Sequence, residues 1–277
     1  MISGKTRLIA HIGYPIDSFK APLIYNPWFE KNGIDAVVVP MGVGAGDFPG
    51  VLASLRKVTN LHGALVTMPH KVTVVGLLDE SSTTVKIAGS CNALLLRPDG
   101  TLVGDMFDGT GFARGLKRKG FVIAGASCLV VGTGGVGSAI AASLAAEGIA
   151  SISLFDTQKA SAEGLAARLR EHYPKIAVDL RSSDPAGYDL VVNGTPLGMK
   201  PDDPLPIDVT RLSPSSFVGE VVMKQEITPL LRAARDRGCR YQVGTDMLFE
   251  MIPAYLEFFG FGTATPDALR AVARVSY

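Results

Sequence analysis

A glycine-rich turn that follows a strand-like run constrains the fold of this chain more than any other sequence feature. Gly132, Gly134 and Gly137 fit the spacing G-x-G-x-x-G, after the apolar run 127–131 and before the small-residue segment 138–147. The first glycine of such a motif permits a tight turn, the second lets the backbone approach a pyrophosphate, and the third lets a helix pack on the strand. The motif therefore predicts a dinucleotide site at a helix N-terminus. The residues expected to contact the dinucleotide here are Gly132, Thr133, Gly134, Gly135, Val136 and Gly137.

A carboxylate follows this turn where a contact with the adenosine ribose is expected. Asp156 ends the next strand-like run about 24 residues after Gly132, close to the roughly 20-residue spacing of ribose-binding acids. It is expected to bond the ribose diol and to repel a 2′-phosphate, which favours NAD over NADP. NADP stays possible, because Lys159 lies nearby in sequence and can offset the charge of a phosphate. The alternative is a glycine turn that only packs the core of an α/β domain.

The composition describes a folded chain of about two domains, since a domain averages roughly 150 residues and this chain has 277. Hydrophobic residues make up 47% and charged residues 19%, which excludes an intrinsically disordered chain. A net charge of +1 provides no field to gather nucleic acid or an anionic membrane, so a small-molecule substrate is the expected partner.

Metal, disulfide and targeting signals are missing from the sequence. The three cysteines have no zinc-site spacing and an odd count, so we expect reduced thiols in a cytoplasmic protein. The four histidines include no i, i+4 pair, so no bound metal is expected. Residues 1–13 lack the pattern of a signal peptide, and no apolar run reaches the roughly 18 residues of a membrane span.

Strand-like and helical runs alternate along the chain, which indicates βαβ units and mainly parallel sheets. The helical runs include 22–31, with a proline near its first turn and Gly33 after its end, and 47–60. Pro98-Asp99-Gly100 separates two apolar runs and predicts a hairpin. A second alternating series begins near Phe121, and no low-complexity linker precedes it. The domain boundary is therefore expected inside a helix or short loop near residues 110–122.

Two residues of the first half are candidates for proton transfer. Lys71 follows the end of a strand-like run, and catalytic side chains of open α/β sheets gather at the carboxyl ends of strands. Asp108 lies between glycine-bearing turns at a helix start. A lysine near an aspartate can exchange a proton with a substrate hydroxyl. Taken singly, the two residues are better explained as an exposed surface lysine and a helix N-cap aspartate.

Eight stretches, taken in chain order, resemble the shikimate dehydrogenase family. They are Gly13–Ile16, Val66–Lys71, Gly89–Ala93, Gly104–Gly111, the glycine turn, Asn193–Met199, Thr228–Leu231 and Gly244–Met247. The resemblance implies an α/β fold of two domains. It implies a substrate domain over residues 1–110, completed by helices of 245–277, and a Rossmann domain that binds NAD(P) over 111–244.

The resemblance also implies a role for each matching residue. Lys71 would take the hydroxyl proton as hydride leaves the carbinol carbon for the nicotinamide, and Asp108 would orient the lysine and bond the same hydroxyl. Thr67 and Asn92 match substrate-binding positions. The residues implied on the nicotinamide side of the cofactor are Thr195, Pro196, Leu197, Val221, Gly244 and Met247.

The sequence departs from the family in the substrate pocket. Where relatives have Ser-x-Ser to bind the substrate carboxylate, this chain has Phe19-Lys20-Ala21, and neither Phe19 nor Ala21 carries a hydroxyl. Three further polar positions of the family are apolar here, namely Leu65, Met223 and Met251. Each lost hydroxyl–carboxylate bond should weaken shikimate binding by roughly 1.5–3 kcal/mol.

Neighbouring polar groups offer one way to rebuild a carboxylate site, and they are Ser18, Lys20 and Tyr25. The hypothesis is therefore an NAD-preferring dehydrogenase of this family. Its substrate is expected to be shikimate or quinate bound in a changed way, or a less polar cyclic hydroxy acid.

Two other classes of protein stay open as alternatives. One is a different two-domain dehydrogenase, for example a methylene-tetrahydrofolate or amino-acid dehydrogenase. The spacing of Asn92 and Asp108 argues against it. The other is a dinucleotide-binding regulator without activity, which would have no need of the proton-transfer residues Lys71 and Asp108.

Overall fold

The strands of the chain form two six-stranded sheets in the computed structural model, which describes residues 2–17 and 19–275. The chain divides into two compact units, each built on one sheet. Unit 1 contains the described residues up to Phe107 and those from Ile252 onward, and unit 2 contains Asp108–Met251. Ser18, one of the candidate polar neighbours above, lies outside the described residues.

Unit 1 is a mixed sheet with helices. Its elements are β1 (Arg7–Gly13), α1 (Pro22–Lys31), β2 (Ala36–Gly42), α2 (Phe48–Leu55), β3 (Leu61–Val66), a 3-10 turn (Thr73–Leu77), β4 (Glu80–Ser81), α3 (Thr83–Ala88), β5 (Ala93–Leu96) and β6 (Leu102–Asp105). The strand order is β2-β1-β3-β5-β6-β4. β1 is parallel to β2 and β3, which brings the carboxyl ends of these strands to one edge, whereas β5 is antiparallel to β3 and β6.

Unit 2 is a fully parallel sheet. Its elements are α4 (Asp108–Arg118), β7 (Ser127–Val131), α5 (Gly135–Ala146), β8 (Ser151–Phe155), α6 (Lys159–His172), β9 (Ala177–Leu180), β10 (Leu190–Asn193), a 3-10 turn (Val209–Arg211), β11 (Phe217–Glu220), α7 (Pro229–Asp236), β12 (Arg240–Gln242) and the part of α8 (Gly244–Phe258) up to Met251. The order β12-β11-β10-β7-β8-β9 reverses at β7. Ligands of such sheets bind outside the carboxyl ends of the strands at this reversal. The chain ends with α9 (Pro266–Arg270).

The packing of α4 explains why unit 2 begins at Asp108, before the region 110–122 in which the sequence pattern suggested a boundary. A Cβ on Gly109 would overlap the carbonyl of Ala139 in α5, so the two helices approach closely from the first turn of α4. The whole of α4 therefore belongs with α5.

The core of unit 2 lies around its central strands. Leu129, Val130, Leu190 and Val192 have no exposed surface, as expected of parallel strands covered on both faces. Among the described residues, no helix has both the length and the apolar character needed to cross a membrane. Within the same residues, no group of three or more His, Cys, Asp or Glu side chains is arranged to hold a metal ion.

Candidate functional site

The glycine turn of unit 2 lies at the carboxyl end of β7, where the strand order reverses. Gly132 has φ +91, and a Cβ there would lie 2.6 Å from the Thr195 side chain, so only glycine fits. A Cβ on Gly137 would overlap the Gly132 carbonyl, which shows how closely α5 packs on the turn. A Cβ on Gly134 would meet nothing within 4 Å, so open space lies above the middle of the turn.

The N-terminus of α5 faces this open space without a capping side chain. Gly134 is the N-cap, and no side chain among the described residues caps the helix there. Gly135 and Val136, which form its first turn, are half-buried. An uncapped helix N-terminus offers N–H groups and the positive end of the helix dipole to an anion. The turn is therefore shaped to receive a pyrophosphate.

Asp156 follows β8 and is tied to the glycine turn by hydrogen bonds. Its Oδ2 accepts bonds from the backbone N of Thr133 at 2.7 Å and from the Thr133 hydroxyl at 3.0 Å. Its Oδ1 accepts a bond from the backbone N of Gln158 at 2.8 Å. Burial acts to raise the pKa of Asp156, but these hydrogen bonds outweigh it and hold the pKa below its ordinary value. The carboxylate is therefore charged at neutral pH.

The segment after β10 is held in place by the side chain of Asn193. Its Oδ1 accepts bonds from the backbone N of Thr195 at 3.0 Å and from the Thr195 hydroxyl at 2.6 Å. Its Nδ2 donates to the carbonyl of Leu197 at 3.1 Å. Pro196, between these two residues, is exposed. Three of the expected nicotinamide-side residues thus form one loop anchored on a buried amide.

Glu220, which the sequence analysis did not select, is the second anchor of this region. The residue has no exposed surface. Its Oε1 accepts bonds from Asn193 Nδ2 at 2.9 Å and from the backbone N of Val221 at 2.8 Å and Val222 at 3.0 Å. Its Oε2 accepts a bond from the Thr228 hydroxyl at 2.9 Å. Burial raises the pKa of Glu220, and the accepted hydrogen bonds offset only part of that effect.

The remaining cofactor candidates lie where α8 begins and packs. A Cβ on Gly244 would overlap the carbonyl of Val222, so the loop after β11 touches the first turn of α8. A Cβ on Gly111 would lie 2.5 Å from the carbonyl of Met247 and 2.6 Å from Cβ of Met251. Met247 is buried and Met251 half-buried, and both hold α8 against α4.

In unit 1, two candidate residues meet at the carboxyl ends of β1 and β3. Thr67 follows β3, and its backbone N donates to the carbonyl of Ile12 at 2.9 Å. A Cβ on Gly13 would overlap Thr67 Cγ2 and would lie 2.8 Å from Cζ of Phe19. Phe19 therefore occupies the space above the end of β1, next to Thr67. Ala21 is the N-cap of α1 and supplies no capping side chain.

Lys71 and Asn92 are linked through Cys91. The backbone N of Cys91 donates to the Lys71 carbonyl at 2.8 Å, and Asn92 follows Cys91 directly. Asn92 Oδ1 accepts a bond from the backbone N of Phe107 at 3.0 Å, and its carbonyl accepts the Tyr255 hydroxyl at 3.2 Å. The fold thus brings Lys71 and Asn92 together from distant parts of the sequence.

Asp108, the first residue of α4, is a carboxylate with 3% of its surface exposed. Lys71 is half-buried. Tyr25 is 2% exposed, and its ring packs edge-on against Phe29 and Tyr255 with centroids 6.0 Å and 6.4 Å away. Burial raises the pKa of Tyr25. This phenol is therefore part of an aromatic core as well as a candidate for substrate binding.

His11 is a second residue that the sequence analysis did not select for the site. It lies in β1 opposite Leu65 of β3, and its ring stacks on Phe19 with centroids 3.9 Å apart. Burial and, to a smaller degree, the charge of Lys71 lower the pKa of His11 to about 4. The only available signal was one polar side chain within the apolar run 8–12, a pattern that equally describes a core residue.

Comparison with known proteins adds to this geometry. Residues 11–94 match the sequence model described as the shikimate dehydrogenase substrate binding domain. A shikimate dehydrogenase (NADP(+)) of Acidiphilium cryptum is 36% identical over 276 residues, which cover 99% of this chain and 98% of that protein.

Two solved structures are similar to this one along nearly their whole length. Shikimate 5-dehydrogenase from Listeria monocytogenes, in complex with shikimate and NAD, gives a TM-score of 0.90 at 29% identity and covers 98% of this chain and 97% of that chain. Quinate dehydrogenase from Corynebacterium glutamicum, in complex with NAD, gives a TM-score of 0.87 at 27% identity, with 96% and 98% covered.

Proposed function

The chain belongs to the shikimate dehydrogenase family, and from that premise we propose which of its residues act and which substrate they fit. The protein is an NAD(P)-dependent oxidoreductase of the shikimate and quinate dehydrogenase type, which acts on a CH–OH group. The proposal rests on one observation: Lys71, Thr67 and Asn92 lie together at one edge of the unit 1 sheet.

Lys71 is proposed to take the proton of the substrate hydroxyl during oxidation and to return it during reduction. Asn92 is proposed to support Lys71, because Asn92 is itself held in place. Its carbonyl accepts the Tyr255 hydroxyl, its backbone N donates to the Asp105 carbonyl, and its side chain accepts the N–H of Phe107. The role of Asp108, which is to orient the lysine and bond the same hydroxyl, is carried over from the family resemblance. A buried carboxylate suits that role, since it lies in a medium that strengthens hydrogen bonds to it.

The residues of unit 2 fit a dinucleotide. Open space above Gly134, the uncapped N-terminus of α5 and the charged Asp156 match a pyrophosphate and a ribose diol. When bound, the nicotinamide accepts or donates the hydride. The loop Thr195–Leu197 is proposed to lie on its nicotinamide side, together with Val221, Gly244 and Met247.

NAD is the proposed preferred cofactor. The carboxylate of Asp156 is held by three hydrogen bonds and stays charged, so it would repel a 2′-phosphate at the position that the ribose occupies. Lys159, which begins α6, is exposed and pairs with Glu163 at 3.3 Å. Its charge is therefore partly balanced within its own helix.

The proposed substrate is a cyclic hydroxy acid of the shikimate and quinate class whose carboxylate is bound without the family's serine hydroxyls. Phe19 fills the space next to Thr67, and Leu65 is buried, so this wall of the site is largely apolar. Steady-state kinetics with shikimate and quinate, each with NAD and NADP, test the assignment. The assignment is supported if either acid is turned over with a higher kcat/KM for NAD than for NADP. It is contradicted if neither acid is turned over at millimolar concentration.

The role of Lys71 is tested by the Lys71→Ala variant. We expect kcat to fall by at least a thousandfold while NAD still binds, because unit 2 is unchanged and only the proton acceptor is lost. The exposed Lys57 provides the matched control, and Lys57→Ala should keep full activity. A wild-type protein that binds NAD but turns over no hydroxy acid would instead favour a regulator without activity.

A reducing cytoplasmic location is proposed on the state of the thiols. All three cysteines, Cys91, Cys128 and Cys239, are free and buried. Burial raises the pKa of the Cys91 thiol to about 12, so it is an unreactive core residue although it adjoins Asn92.

A further inference from the structure

One buried polar atom of unit 1 has no role in the function proposed so far. His11 is 8% exposed, and its Nδ1 has no hydrogen-bond partner among the described residues. Buried polar atoms are nearly always bonded, because desolvating them without a partner costs free energy. The unsatisfied Nδ1 of His11 therefore calls for a functional explanation.

The surroundings of His11 place it at the proposed substrate site. It precedes the last two residues of β1 and pairs in register with Leu65, which lies two residues before Thr67. Its ring stacks on Phe19 at an interplanar angle of 24°, and Phe19 in turn contacts the end of β1 beside Thr67. Lys71 is close enough for its charge to act on the imidazole.

The same surroundings determine the charge of the imidazole. Burial disfavours the protonated ring, and the nearby Lys71 ammonium disfavours it further. His11 is therefore neutral near pH 7. A neutral imidazole has one nitrogen that donates and one that accepts, whereas a hydroxyl can do either. A hydroxyl therefore satisfies Nδ1 in either tautomer, whereas a carboxylate, which only accepts, would satisfy it in one.

We propose that His11 is a substrate-binding residue whose Nδ1 hydrogen-bonds a ring hydroxyl of the substrate, with Phe19 packed along the side of the same ring. This inference rests on the proposed function and specifies its substrate as a cyclic acid with an uncharged hydroxyl toward β1. It makes His11, together with Phe19, the determinant of specificity on the wall where relatives use serine.

Three variants separate the two nitrogens of the ring. His11→Asn places an amide near the position of Nδ1, His11→Gln places one near Nε2, and His11→Leu removes both. We expect His11→Leu and His11→Gln to raise the KM of the hydroxy acid at least tenfold with kcat within threefold of wild type. His11→Asn should keep KM within threefold, and the KM of NAD should not change in any variant.

The control is His62, a half-buried histidine of the same sheet whose Nε2 is bonded to the Phe259 carbonyl at 2.7 Å. His62→Leu should lower Tm without changing the KM of the hydroxy acid. Direct observation comes from ¹⁵N NMR of imidazole-labelled wild type, in which the resonance missing from His11→Asn identifies His11. Saturating hydroxy acid should shift its Nδ1 resonance and leave the ring neutral between pH 6 and 8.

Each result bears on one claim only. An unchanged KM in folded His11→Leu, or an Nδ1 resonance that does not move, would overturn the role of His11. An imidazole that becomes protonated in the complex would overturn the hydroxyl assignment. Failure of the wild type to turn over shikimate, quinate or a deoxy analogue of either would contradict the proposed function itself.

Discussion

At the scale of single residues, Phe19 and Ala21 determine the chemistry of the proposed substrate wall. Phe19 offers a flat apolar face, and its ring stacks on a histidine that is neutral near pH 7. Ala21 is an N-cap without a side-chain acceptor or donor. This wall therefore offers an aromatic surface to the substrate, whereas serine side chains would offer hydroxyl groups that donate hydrogen bonds to an anion.

Restoring the hydroxyls should restore carboxylate binding. The double variant Phe19→Ser/Ala21→Ser is expected to lower the KM of shikimate at least tenfold, because two hydroxyl–carboxylate bonds are worth roughly 1.5–3 kcal/mol each. Steady-state kinetics measures this, and Ala21→Ser alone should give the smaller part of the gain. A KM that stays the same or rises in the folded double variant would show that the carboxylate binds elsewhere.

Asp156 should control the choice of cofactor. In Asp156→Ser we expect the ratio of kcat/KM for NAD over NADP to fall at least tenfold, since the charge that repels a 2′-phosphate is removed. The control is Asp179→Ser, which removes a half-buried carboxylate that bonds Ser153 and Arg181 at the neighbouring strand. An unchanged ratio in Asp156→Ser would contradict the proposed preference.

The pH dependence of that preference follows from the same carboxylate. Because its hydrogen bonds hold the pKa of Asp156 below the ordinary value, the charge persists at least down to about pH 4. The NAD over NADP ratio of wild type should therefore be constant from pH 9 to about pH 7, the range in which the 2′-phosphate of NADP also keeps its full charge. The stability contributed by this group is present above its unfolded pKa and is lost only as pH falls through the lower folded value.

At the scale of elements, Glu220 at the end of β11 joins three segments of the proposed cofactor region. It accepts four hydrogen bonds, from Asn193, Val221, Val222 and Thr228. Glu220→Leu leaves these donors unsatisfied, each at a cost of about 1–3 kcal/mol. We expect a lower Tm and a KM for NAD raised at least tenfold, with the KM of the hydroxy acid little changed.

Glu220→Gln is the matched control, because its carbonyl oxygen can accept the Oε1 bonds and its amide can donate to the Thr228 hydroxyl. The KM of NAD should stay within threefold.

Burial raises the pKa of Glu220, so the folded state holds the proton of this carboxyl group more tightly than the unfolded state. Wild-type stability should therefore fall as pH rises from the ordinary glutamate pKa through the raised value, and Glu220→Gln should lack this fall in urea titrations at several pH values.

The elements also show what the sequence was able to predict. The helix over 22–31 was predicted with its observed bounds, because a proline in its first turn and Gly33 after its end mark both limits. The helix predicted over 47–60 ends at Leu55, because the backbone after it forms tight turns, such as Val58 N to Leu55 O, that lead into β3. The expectation of mainly parallel sheets holds for unit 2, whereas unit 1 is mixed. Antiparallel pairing of β3 with β5 depends on contacts that no local pattern encodes.

The candidate site was predictable only where a motif is local. The glycine turn combines its residues within one short segment, so its shape followed from spacing. His11 and Glu220 each lie within an apolar strand, and there the pattern of a core residue and that of a site residue are the same. The backbone bond that joins Cys91 to Lys71 requires the folded chain, and it was likewise not readable from spacing.

For the whole molecule, the two units should respond to different ligands. In hydrogen–deuterium exchange, NAD should protect 132–137 and 193–198 in unit 2, and the hydroxy acid should protect 66–71 and 91–93 in unit 1. NAD at 100 times its Kd should stabilise the folded state by about 2.7 kcal/mol. Protection by NAD confined to unit 1 would contradict the assignment of the cofactor to the glycine turn.

The path of the chain makes the proposed substrate region one of the last parts to be completed during synthesis. The Tyr255 hydroxyl supports Asn92, a residue 163 positions earlier, and α8 reaches unit 1 only after the whole of unit 2. A ribosome therefore releases the complete parallel sheet before it has made the helix on which Asn92 depends. A nascent or prematurely terminated polypeptide would therefore complete the parallel sheet of unit 2 before the proposed substrate region, and we expect incomplete products to have no activity.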